Sequence, residues 1–308
     1  MKEQEEQLAS VENKLYGFFR ATSVEQTEKL LSLLPEDVTE VVTPETVYRA
    51  GNPEARETAD LLARGLILPG SKIIDAHHLA ESWKLAQSGK SVLVLSEHFS
   101  NFDLTNITYL ADNDPAIGKG FADNLIAMAG VKLSRDSDRF IAAFIQVYNR
   151  IVIMPSRSLD KLSGEELNEY KKMNLSAIKE MTKRKNSGHP ILVFPTGTRT
   201  RPNQPDTAKA IPEMYSYMRG FDYIQFLSLN GLVLKVSDIS MSADEPQPNV
   251  VMMGAAKPIS SQEFMENAEK NCPQGMEMRD FVPIYLMQQL HSLHDYVEPM
   301  RLAVDGAF

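Results

Sequence analysis

Ser91-Val92-Leu93-Val94-Leu95-Ser96-Glu97-His98-Phe99-Ser100-Asn101-Phe102-Asp103 is the stretch whose reading decides the fold. Ser91 to Leu95 is a short apolar run of β-formers without Pro or Gly, as expected of a buried strand. The polar cluster Ser96, Glu97, His98 ends it. Ser100 or Asn101 is placed to cap a helix that begins near Phe102. This strand–turn–helix pattern belongs to an α/β sheet, where ligands bind at the carboxyl ends of strands. His98 falls at such an end. Across the turn, Asp103 is within reach of its ring, and a His held by a carboxylate can take a proton from a hydroxyl.

The His-x4-Asp spacing alone is equally that of a helix-capping His beside a solvated Asp. A second stretch bears on the choice. Ile191 to Phe194 is another apolar strand, and it runs into Val193-Phe194-Pro195-Thr196-Gly197-Thr198-Arg199-Thr200-Arg201. Gly197 permits a tight turn. Arg199 and Arg201, one residue apart in turn or extended backbone, can face one side, and their planar forks suit a dianionic phosphate. Pro202 stiffens the exit. A pair of surface arginines in a loop is the alternative. Arg157 follows a third strand, Arg150 to Met154, and is read either as a further cation at the same sheet edge or as a solvated loop residue.

Composition sets the frame. The chain has 308 residues, 43% hydrophobic and 24% charged, as in ordinary globular proteins. That length fits one large domain, or a large and a small one. A formal charge of −9 disfavours a general nucleic-acid binder. The single cysteine, Cys272, allows no internal disulfide and fits a reducing compartment. The acidic start, Met-Lys-Glu-Gln-Glu-Glu-Gln, does not read as a signal or transit peptide, and no apolar run reaches the roughly 18 residues of a membrane span.

Residues 1–75 read as helices: Leu15, Phe18 and Phe19 share a face, Leu30 to Leu34 precede Pro35, and Thr43 is placed to cap a helix opening at Pro44. Helical spacing resumes through Leu61, Leu62 and Leu66. We therefore expect a small helical N-terminal domain (1–75) before an α/β domain (76–308). Asp75 to Ser88 is helical and carries adjacent His77 and His78, read as structural or exposed. Beyond Asp103, strands over 124–129, 150–154, 190–194, 223–229 and 250–255 alternate with helices over 138–148, 162–185 and 211–219, and a long helix over 277–302 closes the chain. The implied sheet is mixed, mostly parallel and flanked by helices. His291 and His294 share a helical face, but no Cys, His or acid cluster completes a zinc site, so no metal is expected.

Taken together, His98-x4-Asp103 and Phe194-Pro-Thr-Gly-Thr-Arg199 resemble the glycerolipid acyltransferase family, whose two blocks are His-x4-Asp and Phe-Pro-x-Gly-x-Arg. Within it, Thr196 (where most members carry Glu) and the ending Arg199-Thr200-Arg201-Pro202 are similar to the soluble, chloroplast-type glycerol-3-phosphate acyltransferases. Lys172-Met173-Asn174 and Tyr223 to Leu229 also look like that subfamily, as does a helical region ahead of the α/β domain. The likeness spans roughly residues 76–265. One departure stands out: the subfamily's Lys-His pair after the strand matching Ile151 to Met154 is here Ser156-Arg157-Ser158.

The resemblance implies transfer of a fatty acyl group from acyl carrier protein or coenzyme A to the sn-1 hydroxyl of glycerol 3-phosphate, a step of phospholipid synthesis. His98 and Asp103 are the implied general-base pair. Arg199 and Arg201, joined by Arg157, are the implied phosphate ligands, and backbone amides near Gly197 or the helix start are the implied oxyanion donors. No cofactor is implied beyond the thioester. No G-x-S-x-G elbow marks an enzyme nucleophile. Two other readings remain: acylation of lysophosphatidate, and a non-catalytic phospholipid- or carrier-binding protein. Lys179, Lys183, Arg184 and Lys185 form either a docking patch for an acidic carrier or a solvated face. The expected location is a soluble cytoplasmic or stroma-like compartment. The amphipathic product makes transient membrane-surface contact part of this expectation, though periodicity alone marks no basic amphipathic helix to make it.

Overall fold

The computed structural model describes residues 14–34, 41–131, 139–155, 162–201, 203–237 and 243–305. Helices α1 (Lys14–Thr22) and α2 (Val24–Ser32) come first, then β1 (Tyr48–Arg49), α3 (Pro53–Ala63), β2 (Lys72–Ile74) and α4 (Ala76–Gln87). The middle of the chain holds β3 (Val92–Ser96), α5 (Asp103–Asn113), α6 (Phe121–Asn124), β4 (Ile126–Gly130), α7 (Arg139–Ile145) and β5 (Arg150–Ile153). Next come α8 (Gly164–Lys185), β6 (Ile191–Val193), a 3-10 turn (Pro205–Ala208), α9 (Met214–Arg219) and β7 (Tyr223–Asn230). The last third contains the hairpin β8 (Leu234–Lys235) and β9 (Glu245–Pro246), then β10 (Met252–Ala255), β11 (Ile259–Ser260), α10 (Ser261–Asn271) and α11 (Met278–Asp305).

Among the described residues nine strands form one mixed sheet in the order β1-β5-β4-β6-β3-β7-β10-β2, with β11 also on β7. The five central strands, β5-β4-β6-β3-β7, are parallel. β1, β10 and β11 run antiparallel to their neighbours, and β2 follows β10. The reversal at β10 has a local cause. Among the described residues only the β8–β9 hairpin separates β7 from β10, and a parallel return needs a crossover such as a helix.

β3 is central and buried at every residue. Its alternate side chains feed two cores, as a period of two requires. Val92 and Val94 point into the core built by α1 to α7, and Leu93 and Leu95 into that built by α8 to α11. A strand covered on both faces has no polar face to show, which is why it reads as an unbroken apolar run.

The chain before residue 75 is not purely helical. Both terminal strands of the sheet order, β1 and β2, come from it. The helix expected from Pro44 is instead a turn: the Thr46 amide donates to the Thr43 carbonyl (3.0 Å), and the Thr43 amide to Thr46 Oγ1 (2.9 Å). Pairing of Tyr48 with Ile151 then holds the chain extended. Helices α1 to α3 share their core with the sheet. Phe19, fully buried, lies 6.0 Å from the Phe102 ring and 5.8 Å from both Phe140 and Phe144. Helix α3 starts as its sequence dictates, with Asn52 Oδ1 accepting from the Glu54 and Ala55 amides and Pro53 in the first turn. Pro35, the expected stop of α2, lies outside the described residues.

Candidate active site

β3 and β6 are adjacent and parallel, with Leu95 opposite Val193. The two sequence motifs therefore leave the sheet side by side at its carboxyl edge. The backbone joins them as well, because the Thr200 amide donates to the His98 carbonyl (2.7 Å).

The loop after β3 is folded around one carboxylate. Asp103, 2% exposed, is the first residue of α5. Its Oδ2 accepts the Phe99 amide (2.6 Å), the Ser100 amide (2.8 Å) and His98 Nδ1 (2.9 Å), and its Oδ1 accepts Ser100 Oγ (2.8 Å). Neither expected cap serves the helix start: the N-cap is Phe102, without a side-chain cap bond, and Ser100 Oγ accepts the Phe102 amide (3.1 Å) within the turn. Because Oδ2 is an acceptor, Nδ1 of His98 carries the proton and Nε2 carries the lone pair. The imidazole also stacks on Phe194 of the second motif, with centroids 4.1 Å apart and planes 16° apart. Its side chain is 19% exposed, so the ring is held from two sides yet still reached from outside. The ring is thus held in one tautomer and orientation, as a general base requires.

The second motif turns on Gly197, whose φ of +62° lies in the left-handed region; a Cβ there would sit 3.2 Å from Ile211 Cγ2. The Gly197 amide donates to the Phe194 carbonyl (2.9 Å), and Thr196 Oγ1 to the Thr198 carbonyl (2.6 Å). Gly197 thus makes the turn, but its amide is already engaged. The Phe99 and Ser100 amides, in the turn ahead of the helix, are engaged by Asp103.

Arg199 is 9% exposed and donates from Nη1 to Asp244 Oδ2 (2.6 Å). Asp244 is fully buried; its Oδ1 accepts the Ser237 amide (2.8 Å), and Asn101 Nδ2 approaches its Oδ2 at 3.3 Å. Asp244 thereby ties the first motif, through Asn101, to the second, through Arg199. Burial pushes its carboxyl above the ordinary value, against the pull of the Arg199 guanidinium, the Ser237 amide and the Arg201 charge. Arg201 is half-buried, and its amide donates to Thr207 Oγ1 (2.8 Å). The structure brings His98, Asp103, Gly197, Arg199 and Arg201 to one edge. Arg157 and Pro202 lie outside the described residues.

Asp244→Ala is expected to lower stability by about 3 kcal/mol, since it strands a buried guanidinium. A denaturant midpoint measures this, and a cost below about 1 kcal/mol would mean that Arg199 finds water or another partner.

Sequence reasoning missed Asp244 and a second His–carboxylate pair. Glu97, 5% exposed, accepts at Oε2 from the Leu229 amide (3.0 Å) and from His294 Nδ1 (2.9 Å) on α11. The Phe99 ring meets His294 edge-on at 6.0 Å. Burial opposes charging of His294, but the Glu97 hydrogen bond, together with the charges of Glu97, Glu298 and Asp295, outweighs it and raises the pKa above 6.5. Folding then favours the protonated ring. Its contribution is complete below about pH 6.5 and is lost as pH rises through the raised folded value. Wild-type melting temperature should therefore fall more between mildly acidic and alkaline pH than that of His294→Gln. Parallel curves would remove His294 from the account.

His77 is exposed, and His78 Nδ1 donates to the Ala255 carbonyl (3.0 Å), a structural role. Among the described residues no group of three or more His, Cys, Asp or Glu is placed to hold a metal ion, and no helix is long and apolar enough to cross a membrane. A scan of protein-family models found no match to this chain, and a search of curated proteins found none either.

Proposed function

We propose that this protein is an acyltransferase that moves a fatty acyl group from a thioester to the hydroxyl of a phosphate-bearing acceptor, with glycerol 3-phosphate the acceptor its motifs favour. One observation carries the reading: the His-x4-Asp and Phe-Pro-x-Gly-x-Arg stretches, about a hundred residues apart in sequence, meet as ring on ring at His98 and Phe194. The reading gives each group a task. His98 Nε2 takes the acceptor's hydroxyl proton as the oxygen attacks the thioester carbonyl. The C–S bond then breaks, and the imidazolium returns the proton to the departing thiolate. Asp103 stabilises the imidazolium between these steps.

Arg201 and Arg199, with Arg157, hold the acceptor phosphate in this reading. Asp244 orients Arg199 and leaves the rest of its five-donor fork for an anion. Gly197 supplies the turn that delivers both arginines. For its amide to hold the oxyanion, the bond to Phe194 has to be given up. Helices α1 to α3 are the counterpart of the helical N-terminal domain of the enzymes it resembles. The acyl donor is acyl carrier protein or coenzyme A, and the reaction needs no cofactor beyond it. The setting is a reducing, soluble compartment beside the membrane that receives the product, in keeping with the lone Cys272.

The test is acyl transfer by purified protein, offered palmitoyl and oleoyl donors on both carriers with glycerol 3-phosphate and lysophosphatidate in separate reactions. Lysophosphatidate formed from glycerol 3-phosphate is the expected product. Turnover of lysophosphatidate alone would move the protein to the next acylation. Folded protein that acylates neither would overturn the reading.

A further inference from the structure

The outward face of α8 does not match the rest of this acidic molecule. Lys171, Lys172, Leu175, Ile178, Lys179 and Lys183 are all exposed, and at 100° per residue they fall within one side of the helix. Leu175 and Ile178 are 54% and 53% exposed, large values for branched apolar side chains one turn apart. No acid occurs between Tyr170 and Lys179, although the chain carries a net charge of −9; Glu165, exposed in the first turn, is the one acid of α8 within the same arc. Tyr170, Met173 and Ala177 occupy the opposite, buried side. Two members of the basic patch expected from sequence do not belong to this face. Arg184 lies over the Tyr48 ring at 3.7 Å and bonds Glu180, and Lys185 bonds the Gly220 carbonyl and sits over Phe221.

The face also has a defined place. Asn174 clasps Met154, donating from Nδ2 to its carbonyl (2.9 Å) and accepting its amide at Oδ1 (2.8 Å). Met154 is the residue after β5, at the sheet edge that carries His98. The helix returns from there to β6, so its first ten residues project roughly 15 Å past that edge. Lys171 and Lys172 stand beyond the edge and Leu175 stands at it. β3 is three strands from β5, a spacing of about 14 Å.

We propose that this face of α8 is a docking surface for a lipid bilayer with anionic headgroups. It would lay α8 along the membrane plane. Four lysines, of which Lys183 also lies 3.8 Å from Glu180, spread along roughly 18 Å of helix and match a plane of negative charge. Two isolated apolar chains between them are enough for shallow insertion, but too few for the desolvated core of a protein interface. The inference stands apart from the acyl-transfer reading, because binding is measured without turnover.

The experiment is co-sedimentation of the full chain with phosphatidylcholine vesicles, with and without phosphatidylglycerol. Wild type is expected to bind only the anionic vesicles, with affinity falling as salt rises from about 0.05 to 0.5 M. Each lysine is worth about fivefold near such a surface, so K171Q/K172Q/K179Q/K183Q should weaken partitioning by about two orders of magnitude or more. L175S/I178S should weaken binding while keeping the salt dependence. Wild type that stays in solution, binds both vesicles equally, or survives the four-lysine change would overturn the proposal. So would binding of an acidic carrier protein through the same lysines by a chain that ignores vesicles.

Discussion

His98→Ala is expected to slow acyl transfer about a thousandfold while leaving a folded protein. A positioned general base contributes about 10²–10⁴ in rate, and the held geometry of this ring argues against the low end. Its Nδ1 proton is fixed by Asp103 and its plane by Phe194, so Nε2 needs no rearrangement before it accepts a proton. The structural cost is small by comparison. Asp103 keeps the Phe99 and Ser100 amides and Ser100 Oγ, and the loop keeps the Thr200 bond. The deletion removes one hydrogen bond and one ring stack, each worth about 1 kcal/mol. Initial rates with glycerol 3-phosphate and a thermal melt separate the two effects. A folded variant that keeps more than about a tenth of the wild-type rate would show that the hydroxyl proton goes elsewhere.

The parts of this site legible in sequence are those whose signal is local. β3 and β6 announce themselves as buried apolar runs, and the residues at their ends are read directly once two parallel strands share an edge. Asp103 is five residues from His98, within one strand–turn–helix unit. Asp244 is 45 residues from Arg199 and 143 from Asn101, in a stretch with no hydrophobic period to place it. Glu97 and His294 are 197 residues apart, and only the return of α11 across the sheet joins them. Pairing at such separations is a property of topology, which periodicity does not encode.

The same limit explains the misread elements. β1 and β2 are two and three residues long, too short for alternation to register, and exist because an edge of the sheet was available. Arg184 and Lys185 look like a charged helix end suited to the dipole, and only the rings of Tyr48 and Phe221 show that they turn inward. The α8 face of Lys171, Lys172, Leu175, Ile178, Lys179 and Lys183 does not read as a basic amphipathic helix in the sequence. Its meaning depends on which side the core takes, and that is settled by Met173 and Ala177 against the sheet.

Asp103 separates folding from chemistry, because two substitutions there should fail differently. Asp103→Ala leaves four donors of the turn without their acceptor, in a position that is 2% exposed. Unpaired buried donors cost about 1–3 kcal/mol each. Even with partial rehydration, a loss of about 4 kcal/mol is expected, a large share of a typical domain's stability of about 5–15 kcal/mol. Asp103→Asn keeps the shape. With its carbonyl oxygen in the place of Oδ2, it still accepts both amides and the His98 Nδ1 proton. Its amide nitrogen then faces Ser100 Oγ, which has a lone pair to offer. The fold should therefore lose only about 1–2 kcal/mol. What disappears is the negative charge beside the imidazolium, so the rate should still fall about a hundredfold or more. If Asp103 acts through His98, the two losses do not multiply: His98→Ala with Asp103→Asn should be no slower than His98→Ala alone. A double variant slower than His98→Ala by the full Asp103→Asn factor would mean that the carboxylate touches the reaction by a route of its own. The unit formed by ring, carboxylate and turn would then not be the base that this geometry describes.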